Sequence, residues 1–296
     1  MSGKELVGRI WKATAGFYYV KTEDALLECR ARGVFRKEGN TPLVGDMVRV
    51  SLTPDGKGTV SEILPRKNSL VRPPLANLDR MVLVLSVTDP EPNFYVADSY
   101  LAILAHRGID AMIALTKSDL ADPSELKLLY AGAGYPVYVV GQGEEEGLSA
   151  LVNALSEGVS AFCGNSGVGK STLLNRIDPR LALPTGDTSR KLGRGRHTTR
   201  HVELIPLPGG GLVADTPGFS SIEMLRMGHI PKDELAFCFP EFAPYLDKCQ
   251  FNNCSHTKEK GCGVLQALEQ GQIDPRRHES YLRLYEEAKQ VREWEV

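Results

Sequence analysis

The residues best suited to chemistry lie in one glycine-rich run, residues 164–171 (GNSGVGKS). Gly164 and Gly169 permit backbone angles and a close approach that a Cβ would block, so successive N–H groups can surround a phosphate. Lys170 would then contact the β- and γ-phosphates of a nucleotide, and the hydroxyl of Ser171 would ligate Mg²⁺. The nucleotide-binding residues predicted in this segment are Gly164, Asn165, Ser166, Gly167, Val168, Gly169, Lys170, Ser171 and Thr172.

The segments on either side of this run are those that a phosphate loop requires. Residues 159–163 (VSAFC) are a short apolar run typical of a buried strand, and residues 171–177 have the apolar spacing of a helix. A bound phosphate would therefore lie at a helix N-terminus, where free N–H groups and the helix dipole favour anions. A chance glycine-rich turn would need neither the strand nor the helix.

A second motif, Thr116-Lys117-Ser118-Asp119, follows the apolar run 111–115. The Asp119 carboxylate can accept hydrogen bonds from N1–H and the exocyclic amine of guanine, donors that adenine does not offer together, while the Lys117 stem can lie along the base. The usual first residue of such a guanine motif is asparagine; threonine keeps a hydroxyl and loses the amide. Taken alone, the four residues fit a polar exit from a strand equally well.

A third motif, Asp215-Thr216-Pro217-Gly218, follows the phosphate loop at the end of another apolar run. At the carboxyl edge of a parallel sheet, Asp215 would hold Mg²⁺ and Gly218 would offer its N–H to the γ-phosphate. Ordinary GTPases carry the phosphate loop first and the guanine motif after it. Here the guanine motif comes first, as a circular permutation would leave it.

With this order of motifs, the chain resembles the ribosome small-subunit-dependent GTPase A family, circularly permuted GTPases that act in assembly of the bacterial 30S subunit. The resemblance implies three parts: an N-terminal OB-fold β-barrel (residues 1–68), a circularly permuted α/β P-loop GTPase domain (69–222) and a mostly helical, zinc-binding C-terminal domain (223–296). It also implies a monomeric GTP hydrolase that binds GTP, GDP and 16S rRNA and is stimulated by the 30S subunit late in maturation.

Composition sets limits of its own. The 296 residues, 42% hydrophobic and 24% charged, are typical of a soluble globular protein of two or three units. The formal net charge of −2 gives no overall basic field, so RNA binding would depend on local basic patches. The N-terminus lacks the apolar stretch of a signal peptide, and no run approaches the roughly 20 apolar residues of a membrane helix. We therefore expect a cytoplasmic protein with no membrane partner.

Residues 6–64 consist of short alternating segments separated by turn residues, which predicts a small β-barrel. The resemblance makes it an OB-fold, a scaffold that often binds nucleic acid. Phe17, Tyr18 and Tyr19 lie near the first turn and could stack on bases. Four basic residues after the second strand could contact phosphates: Arg30, Arg32, Arg36 and Lys37. Such aromatics are as often core residues of a small barrel, and such charges are as often solvated.

Cys249, Cys254, His256 and Cys262 are close enough in sequence to share one metal ion. Three thiolates and an imidazole match tetrahedral Zn²⁺, and four protein ligands leave no open position for catalysis. The spacing repeats the family pattern, so we expect one structural Zn²⁺ per chain. The remaining cysteines, predicted to be packing residues, are Cys29, Cys163 and Cys238.

Residues 190–201, between the phosphate loop and the third motif, hold two glycines and few apolar side chains. This composition is typical of a switch loop that orders when a ligand binds. By the resemblance, Thr199, in preference to Thr198, would complete the Mg²⁺ shell with Ser171 and Asp215.

Many GTPases place a glutamine after the third motif to orient the attacking water, but here Phe219 follows Gly218. His197 is the candidate catalytic residue in its place, because an imidazole can accept and donate a proton near neutral pH. The alternatives are that His197 contacts only RNA or solvent, or that an arginine such as Arg196 reaches the γ-phosphate.

The strand predicted at 135–140 ends in residues 141–143 (GQG), where ordinary GTPases carry a serine–alanine pair whose backbone N–H contacts the guanine oxygen. A backbone donor does not require serine, so the loop could still serve. Two other functions stay open: an RNA-binding assembly factor that uses GTP only as a conformational ligand, and an ATP-dependent phosphotransferase, which would have no need of Asp119.

Overall fold

The computed structural model describes residues 5–37, 39–52, 57–70, 73–183, 202–215 and 229–290. Its strands are β1 (Glu5–Thr14), β2 (Phe17–Lys21), β3 (Leu26–Ala31), β4 (Met47–Leu52), β5 (Gly58–Ile63), β6 (Ser69–Leu70), β7 (Leu75–Ala76), β8 (Arg80–Ser86), β9 (Asp110–Thr116), β10 (Val137–Val139), β11 (Val159–Cys163), β12 (Glu203–Pro206) and β13 (Leu212–Asp215). Its α-helices are α1 (Gly33–Lys37), α2 (Phe94–His106), α3 (Ser124–Gly132), α4 (Glu145–Ala154), α5 (Lys170–Ile177), α6 (Gly263–Glu269) and α7 (Pro275–Gln290). Short 3₁₀ helices span Pro179–Leu181, Leu235–Cys238 and Pro240–Lys248. None of the helices in these ranges is both long and apolar enough to cross a bilayer.

The first five strands close into a barrel. β1 pairs with both β2 and β4, and β3 pairs in parallel with β5, so the ring has no open edge within it. Alternate side chains fill the interior, since successive residues of a strand face opposite sides. The fully buried ones are Ile10, Val20, Val48, Val50 and Val60. The predicted N-terminal barrel is confirmed.

The next strands form a sheet in the order β10-β9-β8-β11-β13-β12, in which β12 alone runs antiparallel to its neighbour. Alternate residues of β8 belong to two separate cores. Met81 and Leu83 lie in one with residues of α2, and Val82 and Val84 lie in the other with residues of α4 and α5. A parallel sheet covered on both faces is the α/β architecture predicted for the GTPase part.

The barrel and this sheet are joined by backbone pairing. Edge strand β12 lies antiparallel to β1, with Lys12 opposite Glu203, and the Lys12 Nζ is 2.6 Å from the Glu203 carboxylate. The two parts thus share one sheet of eleven strands. Just before β4, Gly45 (φ +94°) approaches Ala76 of β7 so tightly that a Cβ would lie 2.0 Å from the Ala76 oxygen.

The C-terminal elements are helical, as predicted, and pack on α2. Arg277 of α7 is 1% exposed and donates to Asp98 of α2 at 2.5 Å and to Glu241 at 2.6 Å. Beside this ion cluster, the Phe242 ring lies 5.0 Å from the Tyr281 ring, centroid to centroid. The C-terminal part therefore has a fixed position on the GTPase part. The exact limits of the three domains stay predictions.

Candidate nucleotide-binding and metal centres

The predicted phosphate loop connects β11 to α5, as its sequence context requires. The backbone geometry of the loop requires glycine at positions 164 and 169. A Cβ on Gly164 (φ +145°) would lie 2.4 Å from the Val84 oxygen, and Gly169 takes a left-handed φ of +90° immediately before α5. Lys170 Nζ donates to the carbonyl oxygens of Gly164 (2.7 Å) and Asn165 (2.6 Å). The ammonium thus lies inside the loop, where it would contact an anion bound to the backbone N–H groups.

The other predicted residues of the loop differ in exposure. Ser166, Gly167 and Thr172 are exposed, Asn165 and Ser171 are half-buried, and the Val168 side chain is buried in the core. The contribution of Val168 to a ligand site is therefore made by its backbone.

Thr116, the residue that replaces the usual asparagine, is buried and faces the phosphate loop. Its hydroxyl oxygen lies 2.6 Å from the Val168 carbonyl oxygen and 3.2 Å from the Leu85 carbonyl oxygen. A hydroxyl has one proton to donate, and the shorter distance assigns it to Val168. Thr116 therefore ties the predicted base-reading segment to the phosphate loop. The sequence motif identified Thr116 as a site residue but did not indicate its hydrogen bond to Val168.

The remaining residues of the predicted guanine motif, Lys117, Ser118 and Asp119, each contact a different neighbour. Lys117, at a φ of +58°, donates from its ammonium to the Asp89 carbonyl oxygen. Asp119 is exposed, and its Oδ1 lies 3.4 Å from the Gln142 backbone nitrogen. A Cβ on Gly141 would come within 2.1 Å of the Ser118 hydroxyl oxygen. The 141–143 loop therefore lies directly against the guanine motif.

The third motif begins at the same edge of the sheet, since β13 is parallel to β11 with Ala214 opposite Ala161 and ends at Asp215. The side chain of Asp215 lies outside what the structure describes. The predicted switch segment 190–201, with Arg196, His197, Thr198 and Thr199, falls outside the described ranges, and so do residues 216–219, with Gly218 and Phe219.

The four predicted metal ligands converge. The ligand atoms of Cys249, Cys254, His256 and Cys262 all lie within 4.8 Å of one another. His256 Nδ1 is 3.5 Å from the sulfurs of Cys249 and Cys262, and these two sulfurs are 3.9 Å apart. Ligand bonds of about 2.0 to 2.3 Å in a tetrahedron give edges of about 3.5 to 3.8 Å. The cluster could hold a metal ion with little rearrangement.

Glu259 organises the loop that carries these ligands. Its two carboxylate oxygens accept hydrogen bonds from the backbone N–H groups of Ser255, Thr257 and Lys258 at 2.9 to 3.0 Å. Burial alone would raise the pKa of Glu259, but the hydrogen bonds from Ser255 and Lys258 outweigh it and lower the pKa to about 2. On the far side, His278 Nε2 lies 2.8 Å from the His256 carbonyl oxygen. The spacing of the cysteines did not indicate Glu259.

The other cysteines are packing residues, as predicted. Cys29, Cys163 and Cys238 are buried. Burial raises the thiol pKa to about 11 for Cys29 and Cys238 and to about 12 for Cys163, so all three are protonated and unreactive near neutral pH.

Replacing Thr116 by valine keeps the volume of the side chain and removes its hydroxyl. The Val168 carbonyl would lose its buried donor, so we expect the affinity for GDP to fall about fivefold, the cost of one such hydrogen bond. Calorimetric titration measures the change. Thr116→Ser keeps the hydroxyl and is the matched control. Wild-type affinity in the valine variant would contradict the role assigned to Thr116.

Replacing Glu259 by glutamine turns one acceptor oxygen into an NH₂ group that faces backbone N–H donors. We expect the metal to be released to a chromogenic chelator at roughly tenfold lower chelator concentration, as is usual when a group that orients ligands is lost. Glu279→Gln, in an exposed position of α7, should release metal as the wild type does. Identical retention in all three proteins would rule out the role of Glu259.

Comparison with known proteins agrees with this arrangement of parts. The family model described as RsgA GTPase matches residues 63–225, and the one described as RsgA N-terminal domain matches residues 7–60. Two solved structures are similar over nearly the whole chain. YloQ, described as a circularly permuted GTPase, has a TM-score of 0.80 and 36% identity, covering 97% of this chain and 96% of that one. YjeQ from Thermotoga maritima has a TM-score of 0.82 and 31% identity, covering 98% and 100%.

Two relatives in sequence are each named small ribosomal subunit biogenesis GTPase RsgA. The relative from Caldanaerobacter subterraneus is 43% identical over 290 residues, which are 97% of this chain and 97% of that protein. The relative from Halalkalibacterium halodurans is 46% identical over 288 residues, 95% and 97% of the two chains. With the barrel, the permuted order of its motifs and the cysteine–histidine cluster in place, the chain belongs to the RsgA family of circularly permuted GTPases.

Proposed function

We propose that the protein hydrolyses GTP in the biogenesis of the small ribosomal subunit, that the 30S subunit stimulates the hydrolysis and that it acts late in maturation. The main support for the proposal is the 2.6 Å hydrogen bond from Thr116 to Val168. This bond connects the base-reading segment to the phosphate loop, so the two segments belong to one site. The relatives named as small ribosomal subunit biogenesis GTPases support the biological setting.

In the nucleotide site, Lys170 neutralises the β- and γ-phosphates and the N–H of Gly218 binds the γ-phosphate. Ser171, Thr199 and Asp215 would hold Mg²⁺. The bound Mg²⁺ supplies positive charge against the negative charge that develops on the phosphate oxygens. The loop N–H groups orient the triphosphate at the start of α5, so the protein's contribution is mainly position and charge.

At the base, the Asp119 carboxylate accepts from N1–H and the exocyclic amine of guanine, and the Lys117 stem covers one face of the ring. Asp119 is exposed and so is accessible to a ligand. GTP and GDP are therefore the nucleotides that we propose, and the lack of a paired donor in adenine excludes ATP as an equal competitor.

In the C-terminal part, Zn²⁺ is the metal that suits three thiolates and an imidazole, with one ion per chain. Its four protein ligands leave no site for a substrate, so the ion is structural and supplies folding energy to the loop around it. Removal of Zn²⁺ would act on this loop and not on the phosphate site.

The barrel is the part that we propose for contact with 16S rRNA. The Arg30 guanidinium lies 4.7 Å from the centroid of the Phe17 ring, beside an open groove of about 340 Å³ that Glu28, Lys57 and Thr59 also line. A half-buried ring with a cation over it offers both stacking and phosphate contact to a single-stranded segment.

The protein would act as a monomer in the cytoplasm.

Single-turnover hydrolysis of GTP with and without 30S subunits tests the function. We expect slow basal hydrolysis and a large acceleration by 30S subunits. His197→Ala should lose most of the stimulated rate, roughly a hundredfold, because general acid–base groups contribute on that scale. The affinity for GTP and co-sedimentation with 30S subunits in a non-hydrolysable GTP analogue should persist.

Each other outcome has a distinct meaning. Negligible turnover in the presence of 30S subunits would favour an RNA-binding factor that uses GTP only as a conformational ligand. Undiminished stimulated turnover in the His197 variant would move the role to an arginine such as Arg196 or to the ribosome. A mock reaction with 50S subunits controls for non-specific stimulation.

Asp119→Asn tests the base-reading role. An amide presents a donor where the carboxylate only accepts, so the variant should lose affinity for GDP by roughly a hundredfold and gain affinity for xanthosine diphosphate. Competition against a fluorescent nucleotide measures both. Equal binding of ADP and GDP by the wild type would refute guanine recognition at this site.

A further inference from the structure

Arg176 joins the helix that begins at the phosphate loop to the loop that follows β10. The residue lies near the end of α5, about 9 Å along the helix axis from Lys170. Its Nη1 donates to the carbonyl oxygens of Val140 at 2.6 Å and Gly141 at 2.8 Å. Its Nη2 lies 2.9 Å from a carboxylate oxygen of Glu145. One guanidinium thus binds two successive peptide groups of the 140–144 loop.

This loop forms a wall of the proposed base site. Gly141 lies so close to Ser118 that a Cβ would meet the Ser118 hydroxyl, and the Gln142 N–H is directed at Asp119 Oδ1 at 3.4 Å. A base that offers its N1–H to Asp119 carries O6 on the adjacent ring carbon. A backbone N–H beside Asp119 is therefore placed where a guanine O6 would accept it.

Within the part of the chain that the structure describes, the other hydrogen bonds of the loop do not join it to α5. The Val140 N–H donates to the Leu115 oxygen at 2.8 Å, and the Glu144 N–H donates to the Gly141 oxygen at 3.2 Å. Val140 also belongs to the same buried cluster as Ile177 of α5. Apolar contact has no preferred direction, so it does not fix the orientation of the loop. The hydrogen bonds of a planar guanidinium do have fixed directions.

We propose that Arg176 is a positioning residue for guanine recognition, which holds the 140–144 loop so that its N–H groups face the base beside Asp119. The proposal rests on the guanine site proposed above. It assigns no contact between Arg176 and the nucleotide. Glu145 is 75% exposed, so its ion pair with Arg176 contributes little, and the two carbonyl bonds carry the effect.

The test separates binding of the base from binding of the phosphates. Affinities for GDP and for inorganic tripolyphosphate, each with Mg²⁺, are measured on the full-length wild type and Arg176→Ala. We expect the affinity for GDP to fall about tenfold, the range for losing hydrogen bonds from a charged group. The affinity for tripolyphosphate should not change. A merely structural role would lower both affinities together.

Two controls isolate the carbonyl bonds. Glu145→Gln removes the ion pair and should bind GDP as the wild type does, and so should Arg180→Ala, whose guanidinium pairs with Asp178 near the same helix end. Arg176→Lys, a point charge that can reach one carbonyl, should recover part of the affinity lost in Arg176→Ala. It also serves as the test variant if the alanine variant does not fold.

The outcomes are distinguishable. Unchanged affinity for GDP in Arg176→Ala, equal losses for both ligands, or a lysine variant as weak as the alanine variant would each overturn the proposal. If wild-type protein binds ADP as tightly as GDP, the guanine site itself is wrong and the role of Arg176 falls with it. Loss confined to GDP, with recovery by lysine, supports the proposal.

Discussion

The parallel pairing of β8 with β9 on one side and β11 on the other is the constraint on which the rest of the structure depends. Leu83 of β8 is in register with both Ile113 and Cys163. Strands aligned in this way end at the same edge of a sheet, so the segments that follow them meet in space whatever their order in the chain. A permuted GTPase can therefore assemble its site although the guanine motif precedes the phosphate loop in the sequence.

The two flanking parts are fastened to this sheet by different forces. The barrel is joined by backbone pairing at the sheet edge, and the C-terminal part by side chains at α2. There Arg277 faces the carboxylates of Asp98 and Glu241 and lies 4.7 Å from the centroid of the Phe239 ring. A buried ion cluster adds less stability than an apolar contact of equal size, but it tolerates only one arrangement of its charges. In this protein it favours one position of the C-terminal helices.

The phosphate loop and the cysteine–histidine cluster could be located from the sequence because each follows a short local pattern. Glycines before lysine and serine, and cysteines at metal-ligand spacing, need no tertiary information. The strand predicted at 135–140 begins only at Val137 in the structure, since Pro136 has no N–H to donate to the ladder. The partners of Thr116, Glu259 and Arg176 could not be predicted, because each bonds to backbone groups whose position depends on the folded chain. The contacts of Thr116 and Arg176 each cross more than thirty residues of sequence.

The pairing of β1 with β12 has a consequence for how the chain folds. Lys12 and Glu203 are 191 residues apart. Synthesis starts at the N-terminus, so the strands of the barrel are complete long before β12 has been made. The barrel can then fold as a separate domain. The part of β1 around Lys12, beyond the residues that pair with β4, then offers a free backbone edge. β12 adds to a strand already in place and need not find a partner in an unfolded chain. The edge strand of the GTPase sheet thus pairs with the first strand of the protein, and each covers an edge that could otherwise recruit another molecule.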